Sequence, residues 1–283
     1  MVSNLLLSAI GSIVAIGVLV CLAVLIRPDA STRAIPADVV RVYCAAGVAQ
    51  PIEYLADSFN RQSDYQIEIA RIGGSGELAG QIKLESESKL PGAAGVFVTN
   101  DEQLLTELSM QGIFESQIAL ATQRPVIAVP TGSGLKFSGL PAMTQTSDIR
   151  FGVASTRAAV GSLARKIAAD HDVLEYLENN KTLDAENVMV LAQALATGSL
   201  DAAIVWDSTL RQINDSTDIE SLKIAGPADP ADQTTGNVTI GIIAAEVKPL
   251  LGAKAFAKYL QGSKSRRIFK SHGFEPIEQT SKQ

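Results

Sequence analysis

Arg71-Ile72-Gly73-Gly74-Ser75-Gly76-Glu77-Leu78 decides how the rest of the chain is read. The residues before it alternate apolar and polar through Tyr65, Ile67 and Ile69, which is the period of a strand. Those after it, Leu78, Ala79 and Ile82, recur at helical spacing. A strand that turns over glycines into a helix leaves the first helical N–H groups unpaired and aimed at open space. Those groups and the helix dipole together attract an anion. Ser75 adds a hydroxyl at the same point. The stretch therefore predicts one wall of an oxyanion-binding cleft.

Outward from this turn, strands and helices alternate. Val39–Tyr43 is a buried-type strand that ends in the small residues Cys44, Ala45, Ala46 and Gly47. Pro51 suits the first turn of a helix that puts Ile52, Leu55 and Phe59 on one face. The helix after Ser75 is expected to carry Leu78, Ile82 and Leu84. Gly95–Val98 is a short strand, and Asn100 is expected to cap a helix from Asp101 to Gln111. Pro125–Pro130 and Ile149–Ala154 are further strands, the second leading over Ser155 and Thr156 to a helix near Val160. Asn187-Val188 starts a helix that Gly198 ends, and Ala202–Trp206 and Asn237–Ala244 are the last clear strands. Helices over 247–260 and 263–271 close the chain. This order predicts an α/β fold with a parallel sheet. Ligands of such sheets sit beyond the carboxyl ends of the strands, where the turns after Tyr43, Ile72 and Ala154 fall.

Composition narrows the function. The 283 residues, 46% of them hydrophobic, suffice for one large domain or two ordinary ones. A formal charge of −6 with no Lys/Arg cluster argues against nucleic acid as a partner, so an anion must be gripped by neutral dipoles. Cys21 and Cys44 form no disulfide or metal spacing. His171 and His272 have no serine or cysteine motif beside them and read as surface or packing residues. The hydrolase pattern G-x-S-x-G fails at Glu77, and G-x-G-x-x-G fails because Gly80 comes one place late. An enzyme is unsupported, and neither a cofactor nor a metal cation is expected.

Leu5 to Ile26 is a run of 22 uncharged residues, long enough to span a bilayer. No A-x-A-like cleavage site follows it. Residues 1–27 read as a membrane anchor or an uncleaved signal, and 28–37, with two prolines, as a linker. The bulky Val20 before Cys21 speaks against a lipoprotein. Arg27 and Arg33 follow the run and no Lys or Arg precedes it, a charge asymmetry that by itself would leave the domain in the cytoplasm.

Several stretches then point to a family by their order. They include Val42-Tyr43-Cys44-Ala45-Ala46-Gly47, Gly73-Gly74-Ser75-Gly76-Glu77-Leu78-Ala79-Gly80-Gln81-Ile82 and Val96-Phe97-Val98-Thr99-Asn100-Asp101. Later come Pro125–Pro130, Glu186-Asn187-Val188, Gly198 through Trp206, and Phe269-Lys270-Ser271-His272-Gly273-Phe274. From Val39 to Phe274 the chain resembles the substrate-binding proteins of molybdate/tungstate ABC transporters, within the periplasmic solute-binding proteins. The resemblance implies a two-lobed clamshell of type II, with an N-terminal transmembrane helix here. Residues 38–124 plus 242–283 would form lobe I and 125–241 lobe II. It also implies a monomeric, membrane-tethered, extracytoplasmic receptor that delivers molybdate or tungstate to an ABC permease. A tetrahedral dianion would sit between the lobes, held by backbone N–H groups and a few hydroxyls.

Carried over by position, the family's second-turn serine falls on Ser75, and its first-turn serine on Gly47, which has no hydroxyl. The turn opening the second-lobe helix falls on Ala159-Val160-Gly161, so Val160 would donate its N–H, and a helix-starting valine falls on Val188. The ligand-facing tyrosine falls on Trp206, whose indole donates but cannot accept. The bland alternatives are a helix cap for Ser75, core packing for Trp206 and Tyr43, plain packing for the side chains of Val160 and Val188, and a solvated loop for Arg157. The Gly47 and Trp206 departures leave sulfate, phosphate or a small carboxylate as alternative ligands. An α/β enzyme or sensor domain is the outside alternative.

Overall fold

Strand β1 (Val39–Ala45) is buried on both faces. Val42 and Cys44 pack into one core cluster and Tyr43 into another. The computed structural model describes residues 39–88, 94–217, 222–232, 234–243 and 249–278. In it, β1 pairs in parallel with β2 (Gln66–Gly73) and β3 (Val96–Thr99). With β4 (Phe114–Gln123), β10 (Gly236–Ile243) and β11 (Glu275–Pro276) they form a six-stranded sheet in the order β11-β4-β10-β3-β1-β2. Helices α1 (Ala49–Asn60), α9 (Pro249–Leu260) and α10 (Ser263–Ser271) supply the core on one face. Helices α2 (Ser75–Ser88) and α3 (Glu102–Met110) supply it on the other.

A second, five-stranded sheet has the order β7-β6-β8-β5-β9. Its strands are β5 (Pro125–Pro130), β6 (Phe151–Ala154), β7 (Leu183–Ala185), β8 (Ala202–Trp206) and β9 (Leu222–Pro227). Around it lie α4 (Leu140–Thr144), α5 (Ala159–Asp170), α6 (Leu174–Asn180), α7 (Val188–Ala196) and α8 (Asp207–Thr217), sharing a core of their own. The two sheets are joined at Arg124 and again ahead of Gly236. The first crossing is clasped from the start of α8, since Asp207 N–H donates to Arg124 O at 2.9 Å and Arg124 N–H to Asp207 Oδ1 at 3.0 Å.

Three expectations need correction. The sheets are mixed rather than parallel: β10 runs antiparallel to β3 and β4, and β5 antiparallel to β8 and β9. The reason lies in the crossings. A strand that returns from the other half, as β10 does, enters its sheet from the end at which β4 left it. The whole of β10 from Gly236 belongs to the first sheet, upstream of the return point expected at 242. Asn100 does not cap α3; Asp101 does, accepting from Leu104 N–H at 3.0 Å. The helix after Ser75 carries Leu78, Ile82 and Leu84 as expected, with Leu84 on its exposed side. No helix among the described residues is long and apolar enough to cross a membrane. The expected anchor, the linker and Cys21 lie outside the described residues.

Candidate functional site

The turns at the strand ends converge. Gly47, Ser75, Val160, Val188 and Trp206 all line one pocket, with Asn100 and Asn187 beside them. The centre of a water molecule is free to move over about 20 Å³ of it, room for a compact guest only. Helices start on every side. Ser75 is the first residue of α2, Ala159 of α5 and Val188 of α7, and Gly47 lies in the 3-10 turn Ala46–Val48 that feeds α1. A helix start brings N–H groups that have no partner within the helix and the positive end of a dipole; of these, Gly76 N–H is taken by Arg157 O and those of Met189 and Val190 by Asn187 Oδ1. No charged side chain lines the pocket. An anion there would meet partial positive charge from several directions and no competing ion pair.

Ser75 is 2% exposed and its hydroxyl is oriented by neighbours. Asp101 N–H donates to Thr99 Oγ1 at 3.2 Å, and Thr99 Oγ1 donates to Ser75 Oγ at 2.8 Å. With that lone pair occupied, Ser75 acts as a donor. Within the protein its acceptor is Asn100 Oδ1, at a long 3.5 Å, so the proton is weakly held. Burial pushes the nearby Asp101 carboxyl up from its ordinary value, against its hydrogen bond from Leu104 N–H. On the opposite side Asn187 accepts from Met189 N–H at 3.0 Å and Val190 N–H at 3.2 Å, not from Val188 N–H.

The halves touch across the pocket. Gly76 N–H donates to Arg157 O at 2.8 Å. Arg157 thus contributes its carbonyl here; its guanidinium does not line the pocket. A Cβ on Gly76 would lie 3.0 Å from that carbonyl and one on Gly74 3.3 Å from Glu186 O, so the glycines permit the approach. Gln212 Nε2 donates to Gly47 O at 3.0 Å, a second buried contact between halves. Tyr43 is core, its hydroxyl bonded to Glu85 Oε1 at 2.5 Å. His171 lies 3.8 Å from Asp229 Oδ1 and His272 Nδ1 2.8 Å from Ile268 O; neither lines the pocket. Burial raises the Cys44 thiol pKa far above its ordinary value, which leaves it unreactive.

Residues 40–275 match the model of one family, the bacterial extracellular solute-binding proteins. The chain belongs to this family. A binding protein of Haemophilus influenzae is 21% identical to this solute-binding protein over 247 residues, 87% of this chain and 94% of its own length. The periplasmic molybdate-binding protein of Azotobacter vinelandii is 21% identical with a TM-score of 0.66, covering 85% of this chain and all 100% of its own. A sulfate-binding protein of Mycobacterium tuberculosis is 13% identical with a TM-score of 0.70, covering 85% of this chain and 87% of its own. Other structures of similar shape are described as iron-bound or thiamin-binding. At these identities the likeness shows the shared fold and names no solute.

Sequence reasoning missed three polar residues of this solute-binding protein's pocket region. The sequence reading uses Asn100 only as a cap and Asn187 only as a helix start, and does not single out Gln212. Asn100 directly follows β3, and the rule that ligands gather beyond strand ends would have found it. Gln212 carried no signal, since its contact with Gly47 spans 165 residues.

Proposed function

We propose that this solute-binding protein captures a compact, fully ionised tetrahedral oxyanion of the molybdate and tungstate class and delivers it to an ABC permease. The observation that carries the reading is the convergence of helix starts on a pocket lined by no charged side chain. Neutral donors suit an ion that brings its own charge and needs no acceptor. Phosphate near neutral pH carries a proton that needs an acceptor. The Asn187 oxygen is occupied by two N–H groups and no carboxylate lines the pocket, so the Asn100 oxygen is the one side-chain amide acceptor left for that proton, and phosphate binds less well than a fully ionised dianion. Among the described residues no cluster of three or more His, Cys, Asp or Glu is placed to hold a metal ion, which also disfavours a metal cation as cargo. Sulfate is the second reading. Gly47 and Trp206 favour it, because both depart from the pattern of the molybdate proteins that the chain resembles. A thermal-shift panel with molybdate, tungstate, sulfate, phosphate and small carboxylates separates these readings. The expected result is stabilisation by one or more fully ionised dianions and little by phosphate. Stabilisation by a carboxylate alone would refute the tetrahedral guest.

A further inference from the structure

The pocket's only aromatic lining residue is wedged rather than simply packed. Trp206 ends β8 in the five-stranded sheet, opposite Pro125 where the chain crosses, and is 1% exposed. Its indole faces two glycines of the other half, closely at Gly236 and more loosely at Gly47. A Cβ on Gly47 would stand 3.6 Å from Trp206 Cδ1, and 3.2 Å from Val188 Cγ1. A Cβ on Gly236, the first residue of β10, would stand 2.5 Å from Trp206 Cη2 and 2.9 Å from Cζ3. The approach at Gly236 leaves no room for any side chain, whereas at Gly47 the ring stands at ordinary contact distance and Val188 is the tighter neighbour. The ring therefore has one seat, and from that seat it forms part of the wall around the 20 Å³ interior.

We propose that Trp206, slotted between Gly47 and Gly236, is the gauge that sets the size of the accepted anion. It admits a bare inorganic ion and excludes a phosphate or carboxylate that carries an organic group. This deepens the reading of the pocket as an oxyanion site and rests on it. Selectivity arises because a wall whose six-membered ring is fitted against Gly236 of β10 cannot retreat to let a larger guest in without breaking that packing.

Trp206 is the chain's single tryptophan, so its fluorescence reports its own seat. The test titrates the full chain, Trp206→Ala, Trp206→Phe and Gly236→Ala with molybdate, sulfate, glycerol 3-phosphate and glucose 6-phosphate, using calorimetry, with circular dichroism to check folding. The native protein is expected to prefer its inorganic ion over both organic phosphates by at least about a hundredfold. Trp206→Ala should cut that ratio at least tenfold and Trp206→Phe by less. Gly236→Ala, which leaves residue 206 intact but blocks its seat, should shift the emission maximum and lower the ratio too. An inorganic ion bound by the native protein with a ratio unchanged in folded Trp206→Ala or Trp206→Phe would overturn the gauge while sparing the oxyanion reading. Equal binding of organic phosphate by the native protein would do the same. Failure of every anion to bind the native protein would overturn both.

Discussion

A hydroxyl that accepts on one side is free to donate on the other, and Ser75 is in that position because Thr99 fills its lone pair at 2.8 Å. Replacing Ser75 by Ala removes a hydrogen bond to a charged guest, worth about 1.5–3 kcal/mol. That corresponds to a loss of affinity of roughly ten- to a hundredfold, readable as a dissociation constant. An unchanged constant would remove Ser75 from the site. Tyr43 makes a different residue-scale prediction. Its hydroxyl, bonded to the buried Glu85, joins β1 to α2, the helix that begins at Ser75. Tyr43→Phe should destabilise the fold by about 1–2 kcal/mol in denaturant unfolding while leaving the pocket's lining unchanged. Ser75 was visible in the sequence because glycines and a hydroxyl at a strand-to-helix turn have a known physical use. Thr99 was not, since nothing local says that its hydroxyl will reach 24 residues back.

Helix starts, rather than side chains, make this pocket, so the elements must be seated against their strands. Gly161 in the first turn of α5 shows how tight that seating is: a Cβ there would lie 2.1 Å from Ser155 O and 2.2 Å from Ala154 O. Gly161→Ala should push α5 off β6, displace Val160 and destabilise the protein by about 3 kcal/mol or more. Unfolding at wild-type denaturant concentration would contradict that. Acid sensitivity belongs to the same scale. Burial works to raise the Glu85 carboxyl, but hydrogen bonds from Tyr43, Gln81 and Ala94 N–H outweigh it and hold the pKa below the ordinary value. Bonds from Arg150 do the same for Asp201, and one from Lys181 for Glu178. A pKa lowered by folding adds stability above the unfolded value and loses it as pH falls through the folded one. The melting temperature should therefore hold from pH 7 to about 5 and fall below about 4. Most strands were legible as elements because buried strands such as Val96–Thr99 and Ala202–Trp206 read as continuous apolar runs. β4 was not, because exposed Glu115 and Gln117 interrupt its first half and dilute the signal.

On the scale of the whole molecule, two sheets with separate cores meet over one pocket, linked by two crossings and by contacts such as Gly76 to Arg157. A guest held from both sides stabilises the pair by mass action, about 2.7 kcal/mol at a hundred times its dissociation constant. For a chain of this size that is roughly 5–10 °C in melting temperature, measurable by calorimetric scanning. The antiparallel pairings that the crossings impose were not legible, because they depend on which half each strand returns to. The proposed tether to the outer side of the membrane predicts that protease added to intact spheroplasts cleaves the domain; protection would refute it. The central claim is that uncharged dipoles between the halves hold a compact dianion. It is tested most directly by isothermal titration of the full chain with molybdate, tungstate, sulfate and phosphate. The account predicts one-to-one binding of at least one fully ionised dianion, with phosphate weaker. No detectable binding of any of the four, at a concentration where the folded protein is confirmed, would contradict it.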